Sequence, residues 1–329
     1  MKAIVFEKIG LPSDVLQIRD VPVPEINDGE VLVRMVATSI NPGDFLFIQN
    51  LYPEPKRPVF PAQIAGNHGA GIVEEAGEGV SLSTGAFVAF SHVATWAEYA
   101  AIPAEYLMPL EAAYPVEKAA QFMNFITAWD LVEGSGIQAG QWLVITAGNS
   151  TVATIATQFA ARRGINVIAV VRRAPRYLDL RALGANEVIE LSRLDGSVRG
   201  RIMEITQGRG VHGVIDSVGG PPVGELVTSL AFGGKVVLYG GYSPETFQLH
   251  NFDLLMKDAA IETYVYRYFF DPPKKEDATM LRKIAEISGS SDFRIPIGGM
   301  HDLGDFKTAI EEAIHRPEVG KRFFKMSLK

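Results

Sequence analysis

From residue 124 onward the chain repeats one rhythm, an almost uninterrupted apolar run followed by an amphipathic stretch: "QWLVITA", "STVATIATQFAARRG", "INVIAVV", "APRYLDLRALG", "NEVIEL", "SVRGRIMEITQG", "HGVIDSV", "PPVGELVTSLAFG", "KVVLYGG". Strands that are apolar on both sides need cover on both faces, and the stretches between them are long enough to be crossover helices. The pattern therefore requires a parallel sheet, a doubly wound α/β domain. Residues 1–101 read differently. Short β-rich runs ("KAIVFEKI", "GEVLVRMVATSIN", "AGIVEEAG", "AFVAFS", "TWAEYAAI") are separated by Pro and Gly, the pattern of an irregular all-β domain. Beyond residue 272 come a helix, a strand, a helix and a last strand, too few for a third domain, and they are expected to return to the first. The expected division is 1–122 with 271–329, and 123–270. There is no internal repeat.

Composition narrows the chemistry. At 329 residues and 47% hydrophobic content the chain can bury a large core. A net charge of −7 argues against a broad nucleic-acid-binding face, while leaving room for a local basic pocket. Cysteine is absent, which excludes disulfides, cysteine nucleophiles and thiolate zinc sites. The N-terminus enters strand-like alternation directly, and no apolar run reaches about 18 residues, so the expectation is a cytoplasmic protein with no membrane anchor.

The turn "AGNSTVA" joins the first strand of the doubly wound domain to its first helix, where backbone N–H groups and the helix dipole can hold a pyrophosphate. Gly148 can make the turn, Ala153 can serve helix packing, and Ser150 and Thr151 carry hydroxyls for phosphate oxygens. The same residues also read as a plain strand-to-helix loop with Ser150 or Thr151 as N-cap. The end of the second strand weighs on this choice. An acidic residue about 20 positions past the glycines takes ribose hydroxyls in NAD sites, whereas arginine accommodates the extra phosphate of NADP. Here "VIAVVRR" places Arg172 and Arg173, with Arg176 close behind and no acid competing. Cations at a helix start oppose its dipole, so an anion between them would relieve an unfavourable placement. The reading is an NADPH site.

Over essentially its whole length the chain resembles the medium-chain dehydrogenase/reductase superfamily, on "NFITAWDLVE", "LRALGANEVIEL", "GVIDSVGG", "GGKVVLYGG" and the closing "VGKRFFKM". The resemblance implies a GroES-like catalytic domain followed by a Rossmann NADP-binding domain, and a homodimer paired through the edge strand "AIETYVYRY". Zinc-dependent members carry a Cys in the early "N-x-x-D" region and a "GHE" motif; here stand Asn41-Pro42-Gly43-Asp44 and Gly66-Asn67-His68, so no metal is expected. Among zinc-free branches the chain resembles trans-2-enoyl-thioester reductases in Asn149-Ser150, "GNHG" (66–69), "IQNLY" (48–52) and Thr95-Trp96, and departs from them at His68, Thr151 and Ala153. Quinone oxidoreductases are the neighbouring branch.

Reduction of an activated double bond needs a hydride donor, a hydrogen-bond donor to the carbonyl as enolate charge develops, and a proton for the α-carbon. By loop match Tyr52 is the candidate donor, with Asn67 in the same catalytic role set; without the resemblance Tyr52 reads as a packing aromatic. The resemblance implies cofactor contacts at Asn41, Thr127, Gly148, Asn149, Ser150, Thr151, Val152, Arg172, Arg173, Tyr239 and Gly240, and a substrate pocket at Trp96, Tyr264 and Tyr266. Thr127 also reads as a core residue of an apolar helix, and "YVYRYFF" (264–270) as a core strand. His68 reads either as a group titrating near neutrality or as a structural histidine. The substrate is a small molecule, an acyl-CoA or acyl carrier protein thioester on the first reading and a quinone on the second. An NADPH-binding protein without turnover is the remaining alternative.

Overall fold

The computed structural model describes residues 1–52, 56–175 and 177–326. The chain divides into two compact units, Met1–Met123 with Tyr268–Lys329, and Asn124–Arg267. In chain order the strands of the first unit are β1 (Lys2–Phe6), β2 (Gln17–Asp20), β3 (Glu30–Ser39), β4 (Gln63–Ile64), β5 (His68–Ala76), β6 (Phe87–Ser91), β7 (Tyr99–Pro103) and β8 (Met108–Leu110). The second unit carries β9 (Trp142–Ile145), β10 (Asn166–Val171), β11 (Glu187–Glu190), β12 (Val211–Asp216), β13 (Leu230–Leu238) and β14 (Ala260–Thr263). The last two, β15 (Ile297–His301) and β16 (Lys321–Lys325), belong to the first unit.

In the first unit the long strand β3 organises the larger sheet, ordered β15-β16-β3-β5-β6-β8 with β7 also on β3. Alternate apolar residues of β3 (Val31, Val33, Met35) join Ile4, Phe6, Phe47, Trp96 and Phe324 in one buried cluster. Each such side chain contributes roughly 1.5–3 kcal/mol on burial. β16 pairs antiparallel with the end of β3, Phe323 opposite Ser39, so that the start of the last strand reaches the residues just after β3. The buried Lys118 ammonium donates to the carbonyls of Ser288 (2.7 Å) and Ser290 (2.9 Å), closing the C-terminus of the helix Ala278–Gly289, an end where the dipole favours a cation.

The second unit is a six-stranded parallel sheet ordered β11-β10-β9-β12-β13-β14. Val144, Ile168, Val214 and Val236 from four strands share its core. The chain moves outward from β9 to β10 and β11 on one side, then resumes at β12 on the other. That makes the carboxyl ends of β9 and β12 a topological switch point, where such sheets leave a crevice.

Three local expectations are corrected. Residues 174–184 were expected as a helix and form turns in their described part. Leu180 and Leu183 are buried as the pattern requires, but the Asp179 carboxylate takes the N–H of Arg181 (3.0 Å) and Ala182 (3.2 Å), bonds that replace a helical ladder. The strand expected at 264–270 is also absent: β14 ends at Thr263 and the chain turns, because the side chains of Tyr264 and Arg267 are drawn to Asp130. The helix expected over "PPVGELVTSLAFG" covers only Pro222–Thr228, and β13 starts already at Leu230.

Candidate active site and nucleotide turn

The polar residues singled out in the first unit converge where β3 runs into the helix Pro42–Ile48. Asn41 is its N-cap and Pro42 its first residue, which has no N–H to leave unsatisfied. Asp44, at the third helical position, accepts the Asn41 N–H at 2.7 Å through one oxygen and the Asn67 side-chain amide at 2.9 Å through the other. Asp44 is fully buried and Asn67 nearly so. Burial pushes the Asp44 carboxyl up to about 6, against the pull of its hydrogen bonds and of Lys321.

Tyr52 is half-buried in this unit. Its ring packs edge-on against Phe269 with centroids 5.4 Å apart, and its hydroxyl lies over Gly43, where a Cβ would come within 2.1 Å of the oxygen. Gly43 is therefore required for this approach. Burial, with the Asp44 charge added, raises the Tyr52 pKa above the ordinary phenol value, so the hydroxyl is a neutral donor at any physiological pH. It makes no hydrogen bond among the described residues, which leaves it available to a ligand oxygen. The Lys56 ammonium stands 4.6 Å from the Phe269 ring centroid, and burial lowers its pKa to about 8.

His68 is buried beside Asn67 at the start of β5. Burial first, then the charges of Lys56 and Lys321, hold it well below the usual imidazole range, which favours the structural reading of this histidine. Its Nδ1 has no hydrogen-bond partner among the described residues. Trp96, expected in a substrate pocket, has no exposed surface; its ring packs on Phe324 at 5.1 Å and fills the space over Gly66. It is a core residue of this unit.

In the second unit, the turn after β9 leads into the helix Thr151–Arg162. Gly148 is buried with Ala169 close by, and a Cβ at 148 would sit 2.8 Å from the Ala169 methyl. Asn149, Thr151 and Val152 are half-buried around it. Ser150 is the N-cap, its Oγ accepting from the Ala153 N–H at 3.3 Å. Capping uses a lone pair and leaves the O–H able to donate, so the two readings of this turn are compatible. Tyr239, half-buried after β13, faces the hydroxyls of Ser217 and Ser150, and burial raises its phenol pKa. Gly240 follows it, exposed. Arg172 and Arg173 lie exposed just past β10, and their side chains have no hydrogen-bond or ion-pair partner among the described residues. Arg176 lies outside the described residues. A turn opening onto helix N–H groups, hydroxyls beside it and two uncommitted guanidinium groups at the neighbouring strand end together fit a dinucleotide carrying a 2′-phosphate.

Thr127 and Tyr264, assigned to cofactor and substrate respectively, face each other in this unit. The Tyr264 hydroxyl donates to Asp130 at 3.0 Å, and Arg267 holds the same carboxylate through two bonds of 3.0 and 2.7 Å. That engagement makes Tyr264 part of an ion-paired brace; Tyr266 is half-buried in the turn that follows.

Residues 27–112 match the alcohol dehydrogenase GroES-like domain and residues 151–286 the zinc-binding dehydrogenase family. The chain is 31% identical to the mitochondrial enoyl-[acyl-carrier-protein] reductase of Arabidopsis thaliana over 276 residues, 80% of this chain and 71% of that protein. The chain belongs to the medium-chain dehydrogenase/reductase superfamily. The human mitochondrial enoyl-[acyl-carrier-protein] reductase is 27% identical over 95% of this chain and 86% of its own length. Among solved structures, Escherichia coli quinone oxidoreductase in complex with NADPH matches with a TM-score of 0.87 at 25% identity, covering 99% of this chain and 100% of that one. Within the superfamily the chain falls in the zinc-free branch. Among the described residues no group of three His, Asp or Glu side chains is placed to hold a metal ion, and no helix is long and apolar enough to cross a membrane.

Three residues escaped the sequence reading: Asp44 as the hub of the buried network, Lys321 beside it, and Asp216. The buried Asp216 accepts Thr146 Oγ1 at 2.7 Å and the Gly219 N–H at 2.8 Å, tying the ends of β9 and β12 together at the switch point. Asp44 was visible in "N-P-G-D" as a capping box, and Asp216 as an acid in an otherwise apolar strand. Nothing local marks Lys321.

Proposed function

We propose that the protein is a zinc-independent, NADPH-dependent reductase of α,β-unsaturated carbonyl compounds, with 2-enoyl thioesters as its substrate class. The observation that carries this is the Tyr52 hydroxyl, a neutral donor held against Gly43 with no partner among the described residues, beside buried Asn67 and Asp44. Arg172, Arg173, Gly148, Asn149, Ser150, Thr151, Val152, Tyr239 and Gly240 would hold the NADPH, with Asn41 and Thr127 as its further contacts. When bound, NADPH supplies a hydride to the β-carbon. As the electron pair moves to the thioester oxygen, Tyr52 donates its hydrogen bond to the developing charge, and a proton reaching the α-carbon from solvent completes the saturated product. The acyl group is carried by coenzyme A or by acyl carrier protein. A quinone is the second reading, favoured by the likeness to quinone oxidoreductase structures over the whole chain.

The proposal includes a homodimer. Phe252, Leu255, Met256 and Phe232 are exposed apolar residues of the second unit, and the Gly233 N–H bond to Lys257 (2.7 Å) brings the last three together near the edge strand β14. An uncovered sheet edge with such a patch invites pairing with a second copy; light scattering at micromolar concentration would report a dimer if so. A cytoplasmic location belongs to the same proposal, and fractionation of the tagged chain decides it against the mitochondrial placement of the relatives named above.

The test is product analysis. Incubated with crotonyl-CoA and NADPH, the protein should yield butyryl-CoA by mass spectrometry. Turnover of 1,4-naphthoquinone alone would favour the second reading, and NADPH binding with no turnover of either would refute both.

A further inference from the structure

Lys321 opens β16, and its side chain runs into the buried network of the first unit. The ammonium donates to the Ile40 carbonyl at 3.1 Å and to Asn41 Oδ1 at 2.9 Å. A lysine has donors only, so this contact settles the Asn41 amide: its oxygen faces Lys321 and its nitrogen donates to Ser39 Oγ at 2.9 Å. The Asn41 N–H in turn holds Asp44, and Asp44 holds Asn67. One chain of bonds thus joins the last strand to the segment 39–44 and, through Asp44, to Asn67. It converges on the short segment whose Gly43 carries the Tyr52 hydroxyl.

The residue as a whole is half-buried, with its ammonium sunk among protein atoms; burial pulls its pKa down to about 8 while the Asp44 charge resists. No direct ion pair forms between Lys321 and Asp44 among the described residues. Sinking a cation without a touching carboxylate is costly, and an apolar side chain of similar volume would fill the space at lower cost. Packing alone does not account for a lysine here.

We propose that Lys321 is a positioning residue that acts through Asn41: its ammonium fixes the orientation of the Asn41 amide, and with it the Asn41–Asp44 cap that sets Gly43 beneath the Tyr52 hydroxyl. This rests on the reading of Asn41 and Tyr52 given under Proposed function. The charged group facing the ammonium is Asp44 from the helix Pro42–Ile48; Lys56 shares with Lys321 the neighbourhood of Asp44 and His68. His68 on β5 is neutral, and Tyr52 is a neutral phenol.

A double-mutant cycle tests the proposal. Lys321→Met, Asn41→Ala and the double variant are compared with the wild type in NADPH affinity, in kcat/KM with crotonyl-CoA and in melting temperature. Lys321→Met should lower kcat/KM at least tenfold with a smaller change in NADPH affinity. Its effect should shrink to within about twofold in the Asn41→Ala background. The wild-type profile of kcat/KM should fall as pH rises through about 8, and Lys321→Met should lose that limb. Lys321→Arg, which keeps a donor-only cation, should recover part of the activity. Independent, multiplying effects of the two substitutions, or an unchanged pH profile accompanied only by a lower melting temperature, would overturn the proposal. A wild type inactive on thioesters would instead refute the proposed function, and the cycle read on NADPH affinity alone would still decide whether Lys321 works through Asn41.

Discussion

The two candidate regions use polar groups in opposite ways. In the first unit Asp44, Asn67, Asn41 and Lys321 are sunk into the protein and bonded to one another, and the Tyr52 hydroxyl over Gly43 is open to a ligand. At the nucleotide turn the cationic groups, Arg172 and Arg173, stand exposed and uncommitted, and the buried parts, Gly148 and Ala153, are small and apolar. The difference follows from what each must do. A group that stabilises charge only as a reaction proceeds needs fixed dipoles and little water, whereas a group that captures a permanent phosphate needs only a charge in reach. Substitution of Tyr52 should therefore act on rate, and substitution of Arg172 and Arg173 on binding.

The sharpest break is Tyr52→Phe, which keeps the ring against Phe269 and removes one donor. Turnover of crotonyl-CoA should fall by about a hundred- to thousandfold, roughly 2.7–4 kcal/mol, with NADPH affinity unchanged and the melting temperature close to wild type. A variant within a few-fold of wild type would return Tyr52 to a packing role.

Next is Asp44. Its carboxyl is raised from 3.8 to about 6 in the folded protein, so the native state binds more protons than the unfolded one between those values. Stability from this group is fully present below about 4 and is lost as pH rises through about 6, on the order of 2–3 kcal/mol in all. Asp44→Asn should remove that pH-dependent part, seen as a flatter dependence of unfolding free energy on pH over this window. An unchanged slope would show that Asp44 is not held as described.

A smaller effect is expected from Arg172→Ala with Arg173→Ala. Wild-type protein should bind NADPH at least tenfold more tightly than NADH, about 1.4 kcal/mol, and the double variant should lose most of that preference while binding NADH as before. Equal affinities of the wild type in a fluorescence titration would remove the 2′-phosphate from the account. The smallest is Ser150→Ala, which deletes the helix cap and should cost about 1 kcal/mol of stability. If Ser150 also donates to a phosphate, NADPH affinity should fall with it while crotonyl-CoA kinetics at saturating NADPH stay near wild type.

The second region was the more legible in sequence because its parts are local. A buried strand, a small-residue turn, an amphipathic helix and a basic strand end all lie between residues 142 and 173, and periodicity with turn chemistry reads them in order. The helix expected at 174–184 shows the limit: its apolar spacing was right, yet the Asp179 carboxylate captured the N–H groups a helix would use. The first region depends on pairings that no local pattern carries. Asn41 and Lys321 are 280 positions apart and meet only because β16 pairs with β3. The resemblance to enoyl-thioester reductases pointed to Tyr52 and Asn67, but could not show that Trp96 is sealed in the core or that His68 is held neutral, since both follow from burial.

The central claim is hydride addition at the β-carbon of an enoyl thioester followed by solvent protonation at the α-carbon, and isotope placement tests it most directly. Crotonyl-CoA is reduced once with deuterated NADPH in ordinary water and once with ordinary NADPH in heavy water, and the butyryl-CoA is analysed by NMR. Deuterium is expected on the β-carbon in the first product and on the α-carbon in the second. The reverse pattern, or the absence of butyryl-CoA while NADPH is consumed by a quinone, would contradict it.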